Sequence, residues 1–220
     1  MDIGSAFTYV TKDEAWIKKL LIAAVLVLTG IGIIPLMGWV IEIVGRVTRE
    51  EQEVLPDWSD FGGLIVSGLK LFVAAFVWLL PIILLSACFA LIGVAIGSQG
   101  SDTVSAIPGY LSILTSCVSV PYGILFSILL PAQIGYFAQT GSLGGAINPA
   151  NAFKVLRANF GGFLLAWLIA GLALGVLAVI GTIVCVIGIF PAVAYAYAIM
   201  GHLYGQAYRQ AIQRGALATT

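Results

Sequence analysis

The chain has 220 residues, 60% of them hydrophobic and 9% charged, and its ten basic and ten acidic side chains cancel. A soluble domain carries nearer a quarter of charged residues, and needs them to cover its outside. This composition therefore excludes an ordinary water-soluble fold and makes lipid the main solvent. The basic residues are too few and too scattered for a nucleic-acid surface, whereas short basic clusters beside apolar runs suit anionic lipid headgroups.

The N-terminal stretch Met1 to Tyr9 lacks the basic segment of a secretory signal, and Asp13 and Glu14 precede the first apolar run, so no signal peptide is expected. Thr11-Lys12-Asp13-Glu14 has the form of a capping box, with Thr11 as N-cap and Glu14 reaching back. It predicts a helix from Lys12 that carries Trp16, Lys18 and Lys19 at the membrane surface. The run Leu20 to Val44 is long enough for one crossing, but Gly30-Ile31-Gly32-Ile33-Ile34-Pro35 interrupts it. Proline removes a backbone donor and glycine weakens a helix, so the run can bend back as two short helices.

Charge decides between the two threadings. The basic residues are Lys12, Lys18, Lys19, Arg46, Arg49, Lys70, Lys154, Arg157, Arg209 and Arg214. A single crossing would set Lys12, Lys18 and Lys19 against the other basic residues; a hairpin places all of them on one side. Cytoplasmic loops hold the excess of Lys and Arg, which favours a re-entrant hairpin whose tip is buried against protein.

Arg46 to Ser59 is the most polar stretch, and Pro56-Asp57 reads as a stop followed by an N-cap. A helix is predicted from near Trp58, with Phe61, Leu64, Ile65 and Leu69 at helical spacing, lying in the interface before it enters lipid. A crossing from Leu71 to Gly97, kinked at Pro81, follows. An outer connection, Ser98 to Pro108, holds Asp102 and no cation. The next crossing, Gly109 to Leu130, is flanked by Tyr110 and Tyr136 as interface anchors. Gln139 to Asn151 reads as a polar loop, with Asn148-Pro149 as its turn. A surface helix then sets Phe153, Leu156 and Phe160 against Lys154 and Arg157. From Gly161 to Ala207 the chain is apolar enough for two crossings, broken near Gly188-Ile189-Phe190-Pro191. The last ends in Tyr204, Tyr208 and Arg209.

A basic leading helix followed by an apolar hairpin thus recurs over residues 12–47, 58–131 and 151–208 of a single membrane domain, 1–220. Identity between the later units is confined to features such as Phe61-Gly62-Gly63 and Phe160-Gly161-Gly162, and any series of hairpins repeats in this way. The predicted architecture is all-α: a polytopic integral membrane helical bundle. It has about four full transmembrane helices, an N-terminal re-entrant helical hairpin and interfacial amphipathic helices, with both termini cytoplasmic.

Candidate site residues are few. His202, the sole histidine, sits in Gly201-His202-Leu203-Tyr204-Gly205. It reads first as an interfacial hydrogen-bonding residue and second as a ligand for haem or a chlorophyll-type pigment. Glu42 is the acid deepest in an apolar run. With Arg46 four residues on it forms a possible intramembrane ion pair; a proton or cation site is the alternative. Asp57 and Asp60 read as helix caps, with a cation site as the alternative. Gly93-x-x-x-Gly97, Gly171-x-x-x-Gly175 and Gly201-x-x-x-Gly205 place small residues on single helix faces for close packing, within the chain or against a partner. Cys88, Cys117 and Cys185 lie in apolar runs and read as small buried hydrophobes. No hydrolase triad, phosphate loop or metal-ligand cluster is visible, so no enzyme is expected, no metal, and no cofactor beyond the His202 alternative.

Leu55-Pro56-Asp57-Trp58-Ser59-Asp60-Phe61-Gly62-Gly63-Leu64, followed by Gly68-Leu69-Lys70, resembles a prokaryotic membrane-protein family known as domain of unknown function 4013. So do Met1-Asp2-Ile3-Gly4, Ala6-Phe7, Trp16-Ile17-Lys18-Lys19-Leu20 and Arg46-Val47-Thr48-Arg49. The resemblance lies mainly in residues 1–72 and implies a protein of the prokaryotic inner membrane. It brings no activity or site residue with it. The expected role is that of a non-catalytic accessory or scaffold subunit in contact with the bilayer and with other membrane subunits or copies of itself. A small-solute or ion transporter and a pigment- or haem-carrying subunit are the alternatives.

Overall fold

The computed structural model describes residues 1–97, 107–184 and 186–216, and these are helical with no strand. In chain order the helices are α1 (Ile3–Lys12), α2 (Trp16–Thr29), α3 (Ile33–Thr48), α4 (Phe61–Gly97), α5 (Ile107–Thr140), α6 (Leu143–Ile147), α7 (Pro149–Ala158), α8 (Phe160–Val184) and α9 (Ile189–Gln213), with a 3-10 turn at Val186–Gly188 before the last. Cys185 and the connection 98–106, with Asp102, lie outside the described residues. The helices fall into two compact units. Residues 1–74 and 128–220 make the first, and residues 75–127 the second.

Three helical stretches are long and apolar enough to cross a membrane: Phe61–Ile96, Pro108–Thr140 and Phe160–Val184. The expected fourth, ending near Ala207, coincides with α9. That helix is rich in alanine and tyrosine, and most of its second half is buried. It packs along α8, α3 and α2, and also touches α1 and α7. Protein, not lipid, surrounds it, so its surface does not need the apolar character that marks a lipid-facing span.

The chain start differs from expectation. Thr11 is no N-cap, because α1 already runs from Ile3, capped by Asp2 accepting from the Ser5 N–H at 3.0 Å. The Thr11 hydroxyl donates back to the Thr8 carbonyl, and α2 begins at Trp16. The Leu20–Val44 run does break at its glycines into α2 and α3. Gly30 takes a φ of 70°, a left-handed value that suits glycine. The two helices have 14 and 16 residues, about 21 and 24 Å at 1.5 Å per residue.

At the start of α4 the caps differ as well. Asp60, not Asp57, holds the first turn, accepting from the Gly63 N–H at 3.0 Å. The helix starts at Phe61 and runs unbroken through Pro81 to Gly97, so no separate interfacial helix precedes the apolar stretch. Gly62-Gly63 and Gly161-Gly162 acquire a shared reason here. A Cβ on Gly63 would lie 2.1 Å from the Asp60 carboxylate, and one on Gly162 2.2 Å from the Asn159 amide. In both places an Asx side chain folds over the third residue after it and would have to shift to admit a Cβ, whereas Gly62 and Gly161 face open space. The polar segment Gln139–Asn151 is mostly helical: Ser142 caps α6 and Asn148 caps α7, with Pro149 in its first turn.

The core of the first unit joins Leu36, Trp39, Val40 and Ile43 of α3 to Leu20, Ala23 and Ala24 of α2 and to Ala194 and Ala198 of α9. Glycine sets how closely these helices approach. A Cβ on Gly201 would meet Ile43 at 3.0 Å, and one on Gly205 would meet Val47 at 2.6 Å, so this pair seats α9 on α3. Gly38 and Gly68 form a second crossing, unnoticed in the sequence, between α3 and α4. Their Cβ atoms would stand 1.9 Å from the Leu64 and Ile34 carbonyl oxygens. By contrast a Cβ on Gly171 or Gly175 meets nothing within 4 Å, and one on Gly93 makes only ordinary contact with Pro108. The surroundings of Gly97 are outside the described side chains. Cys88 and Cys117 are exposed on the protein surface, not buried as expected.

A small-to-larger change in a tight crossing costs about 1–3 kcal/mol. Gly38→Ala and Gly68→Ala are expected to lower the unfolding midpoint in mild detergent, whereas Gly171→Ala and Gly175→Ala leave it in place.

Candidate functional site

The polar residues of the first unit gather at one end of its helices. They sit at the start of α2, α4 and α8 and at the end of α3 and α9, linked to the start of α1. Lys19 is the centre of one group. Its side chain is only 8% exposed, and its ammonium reaches Asp13 at 2.6 Å, Asp57 at 3.1 Å and the Leu55 carbonyl at 2.9 Å. The Trp58 indole donates to the Lys19 carbonyl and the Trp39 indole to the Pro56 carbonyl, and the two rings stack at 5.4 Å. The family-like segment Leu55 to Trp58 is thereby clamped between α2 and α3. Asp57 serves the lysine and Asp60 the helix. Burial alone would pull the Lys19 pKa down. The hydrogen bonds and charges of Asp13 and Asp57 outweigh it and leave the pKa raised.

Glu42 and Arg46 are 3.0 Å apart, one turn along α3. They are not alone: Arg49 lies 3.5 Å from Glu42 and 2.6 Å from Glu51, and Arg46 also donates to the Glu53 carbonyl. Glu42 is thus one member of an ion network shared with the α3–α4 linker. Glu50, next in the chain, has a φ of 58° where glycine is usual, and pairs with Arg209 at 2.7 Å.

His202 belongs to a clamp that fastens α1 to α9. The Gln206 amide nitrogen donates to the Asp2 carbonyl at 2.8 Å and to His202 Nδ1 at 3.0 Å, while its oxygen accepts from the Asp2 N–H at 2.6 Å. An Nδ1 that accepts fixes a neutral ring with its proton on Nε2. Tyr9 stacks on the imidazole at 4.5 Å and donates to the Ala198 carbonyl at 2.9 Å. The Tyr195 hydroxyl donates to the Phe7 carbonyl. Asp2, Ser5, Glu50, Glu51, Gln206 and Arg209 border a polar cleft of about 490 Å³ beside this histidine. On the far side of α9, Asn159 donates to the Ala207 carbonyl at 3.0 Å and accepts from Arg214 at 2.7 Å.

Among the described residues no group of three or more His, Cys, Asp and Glu side chains could hold a metal ion. Asp57 and Asp60 are drawn to different partners, and Glu42 to two arginines. Sequence reasoning missed Lys19, Gln206, Asn159 and Tyr9. A lysine just inside an apolar run, and amides within one, are the signals that pointed to them, because buried polar groups must find partners.

These features define a class: an all-helical protein with candidate membrane-spanning helices and a cross-braced polar end. The model of the family described as protein of unknown function (DUF4013) matches residues 21–186, and the chain belongs to that family. The match starts after the opening residues and extends well beyond the first third of the chain. No curated protein and no solved structure matches.

Because the folded pKa of Lys19 is raised, its contribution to stability is complete below the unfolded value of about 10.4 and is lost as pH rises through the folded value. Wild-type protein should therefore lose stability at high pH by more than Lys19→Met does, as read from unfolding midpoints across pH. Asp13→Asn should cost about 1.5–3 kcal/mol, the range for hydrogen bonds to charged groups.

Proposed function

We propose that this chain is a non-catalytic accessory or scaffold subunit of a prokaryotic inner-membrane assembly. The observation that carries this reading is a contrast. The buried polar side chains at the polar end, Lys19, His202, Gln206 and Asn159, are engaged in bracing helices, while the outer face of α8 is bare. Gly171 and Gly175 are open, and Leu168, Leu172, Val179 and Ile183 around them are each more than half exposed. Small residues flanked by aliphatic side chains let another membrane helix approach closely.

The threading behind this reading has four crossings and a re-entrant hairpin. α8 is apolar along its length, and α9 follows it after a 3-10 turn and packs back along it, which supports a return crossing. α2 and α3 are each shorter than the roughly 30 Å hydrocarbon core, and their cation-bearing ends, at Lys19 and Arg46, are both tied to the same linker. Those ties support placing all the cations, and both termini, on the cytoplasmic side.

A second reading, small-solute transport, rests on the second unit. There Ser86, Ser112, Thr115 and Ser116 border a cavity of about 390 Å³ between α4 and α5. Hydroxyls in a lipid-exposed hairpin could line a path. The pigment or haem reading rests on His202, whose Nε2 would become a ligand only with the ring proton moved to Nδ1 and the Gln206 amide turned to accept it.

A gentle-detergent pull-down followed by mass spectrometry separates these readings. The subunit reading expects a stoichiometric membrane partner, or a second copy, that is lost in Gly171→Leu and Gly175→Leu although the monomer stays folded. Isolation of a monomer whose behaviour these changes leave untouched contradicts it. Solute flux in proteoliposomes abolished by Ser112→Leu would favour transport, and visible absorbance abolished by His202→Ala would favour the pigment subunit.

A further inference from the structure

The structure sorts the basic residues into two sets. Lys19, Arg46, Arg49 and Arg209 pair with carboxylates, and Arg214 donates to Asn159. Lys12, Lys18, Lys70, Lys154 and Arg157 are all exposed and make no hydrogen bond or ion pair among the described residues. All of the second set but Lys12 stand beside exposed apolar side chains. Lys18 has Ile17 and Leu21 beside it, 57% and 56% exposed. Lys70 has Val66 and Val73 one turn to either side on α4, both exposed. Lys154 and Arg157 lie one turn apart on α7, away from its buried Ala152, Val155 and Leu156, and just ahead of exposed Phe160.

Length leaves Lys70 free of the apolar span. α4 has 37 residues, or about 55 Å, well beyond a hydrocarbon core of about 30 Å. The uncharged stretch after Lys70, about 40 Å long at 1.5 Å per residue, suffices to span. A cation next to exposed apolar surface is poorly matched to a water-soluble acidic partner, which would leave that surface wet. It is well matched to an anionic amphiphile, which covers both.

We propose that Lys18, Lys70, Lys154 and Arg157 bind the phosphate-bearing headgroups of anionic phospholipids in the inner leaflet, and that the paired set does not. The inference rests on the membrane reading of the chain and is independent of the subunit reading. Each cation near an anionic surface contributes enough for about a fivefold change in binding.

The test uses the full chain in nanodiscs of phosphatidylcholine with and without phosphatidylglycerol, with lipid retention read by native mass spectrometry after release. Wild type should retain phosphatidylglycerol preferentially. Lys154→Gln with Arg157→Gln should lower that retention by roughly tenfold or more, and Lys154→Arg with Arg157→Lys should restore it. Arg49→Gln with Arg209→Gln removes the same charge from the paired set and should leave retention unchanged. Equal retention of the two lipids overturns the proposal. So does equal loss in the two charge-removing pairs, which would make net charge and not placement the cause. Stabilisation by inorganic phosphate in detergent as strong as that by phosphatidylglycerol would assign the site to free phosphate and overturn the headgroup claim. Failure of the chain to enter the discs would instead strike at the membrane reading.

Discussion

Lys19 is an ammonium group with almost no exposure at the start of an apolar helix, and one end of the first unit is arranged around it. A buried cation without partners would cost several kcal/mol. Asp13 arrives from the α1–α2 corner, and Asp57 and the Leu55 carbonyl from the linker after α3. Holding them there fixes where α3 must end and where α4 must begin. The stacked Trp39 and Trp58 then seal that junction with apolar area, each also giving its N–H to a backbone carbonyl. A lysine and two carboxylates thus add to the apolar core of α2, α3 and α9 a polar tie between segments far apart in the chain. They bring distant segments into a single arrangement where lipid offers no hydrophobic drive between helices.

The same logic governs α9. It lies against α8, α3 and α2, so its side chains answer to neighbouring helices. Glycines at 201 and 205 admit α3, alanines admit α2, and His202 and Gln206 catch the first turn of α1. Polar side chains are tolerable there because each finds a partner. Tyr208 and Arg209 are exceptions, since the Tyr208 hydroxyl and Arg209 Nε are buried and meet no hydrogen-bond partner among the described residues. Such atoms mark places where packing has taken precedence over hydrogen bonding.

Much of this was legible in the sequence. The apolar runs gave the helices, Gly30 to Pro35 gave the break between α2 and α3, and Asn148-Pro149 gave the start of α7. The Glu42–Arg46 spacing gave the ion pair, though not its extension to Arg49 and Glu51. What was not legible depended on contacts across long separations. The Thr11–Glu14 capping box satisfies local rules, but Asp2 had already started a helix upstream and Asp13 was drawn away to Lys19. Asp57 and Asp60 look interchangeable in sequence, and only the position of Lys19 tells them apart. The packing glycines were equally opaque: Gly38 and Gly68 matter more to the fold than Gly171 and Gly175, yet no spacing rule links residues on different helices. Hydropathy cannot say whether a helix faces lipid or protein, so the cover that α8, α3 and α2 give α9 was not legible.

The central claim is that a single polar end carries the cations and that this end lies inside the cell. The most direct measurement is the reactivity of single cysteines, placed at Lys12, Lys154 or Arg214 in a cysteine-free background, toward a membrane-impermeant maleimide. The account predicts no labelling in intact cells and full labelling once the membrane is permeabilised. Labelling of Lys154→Cys or Arg214→Cys from the outside of intact cells would contradict it.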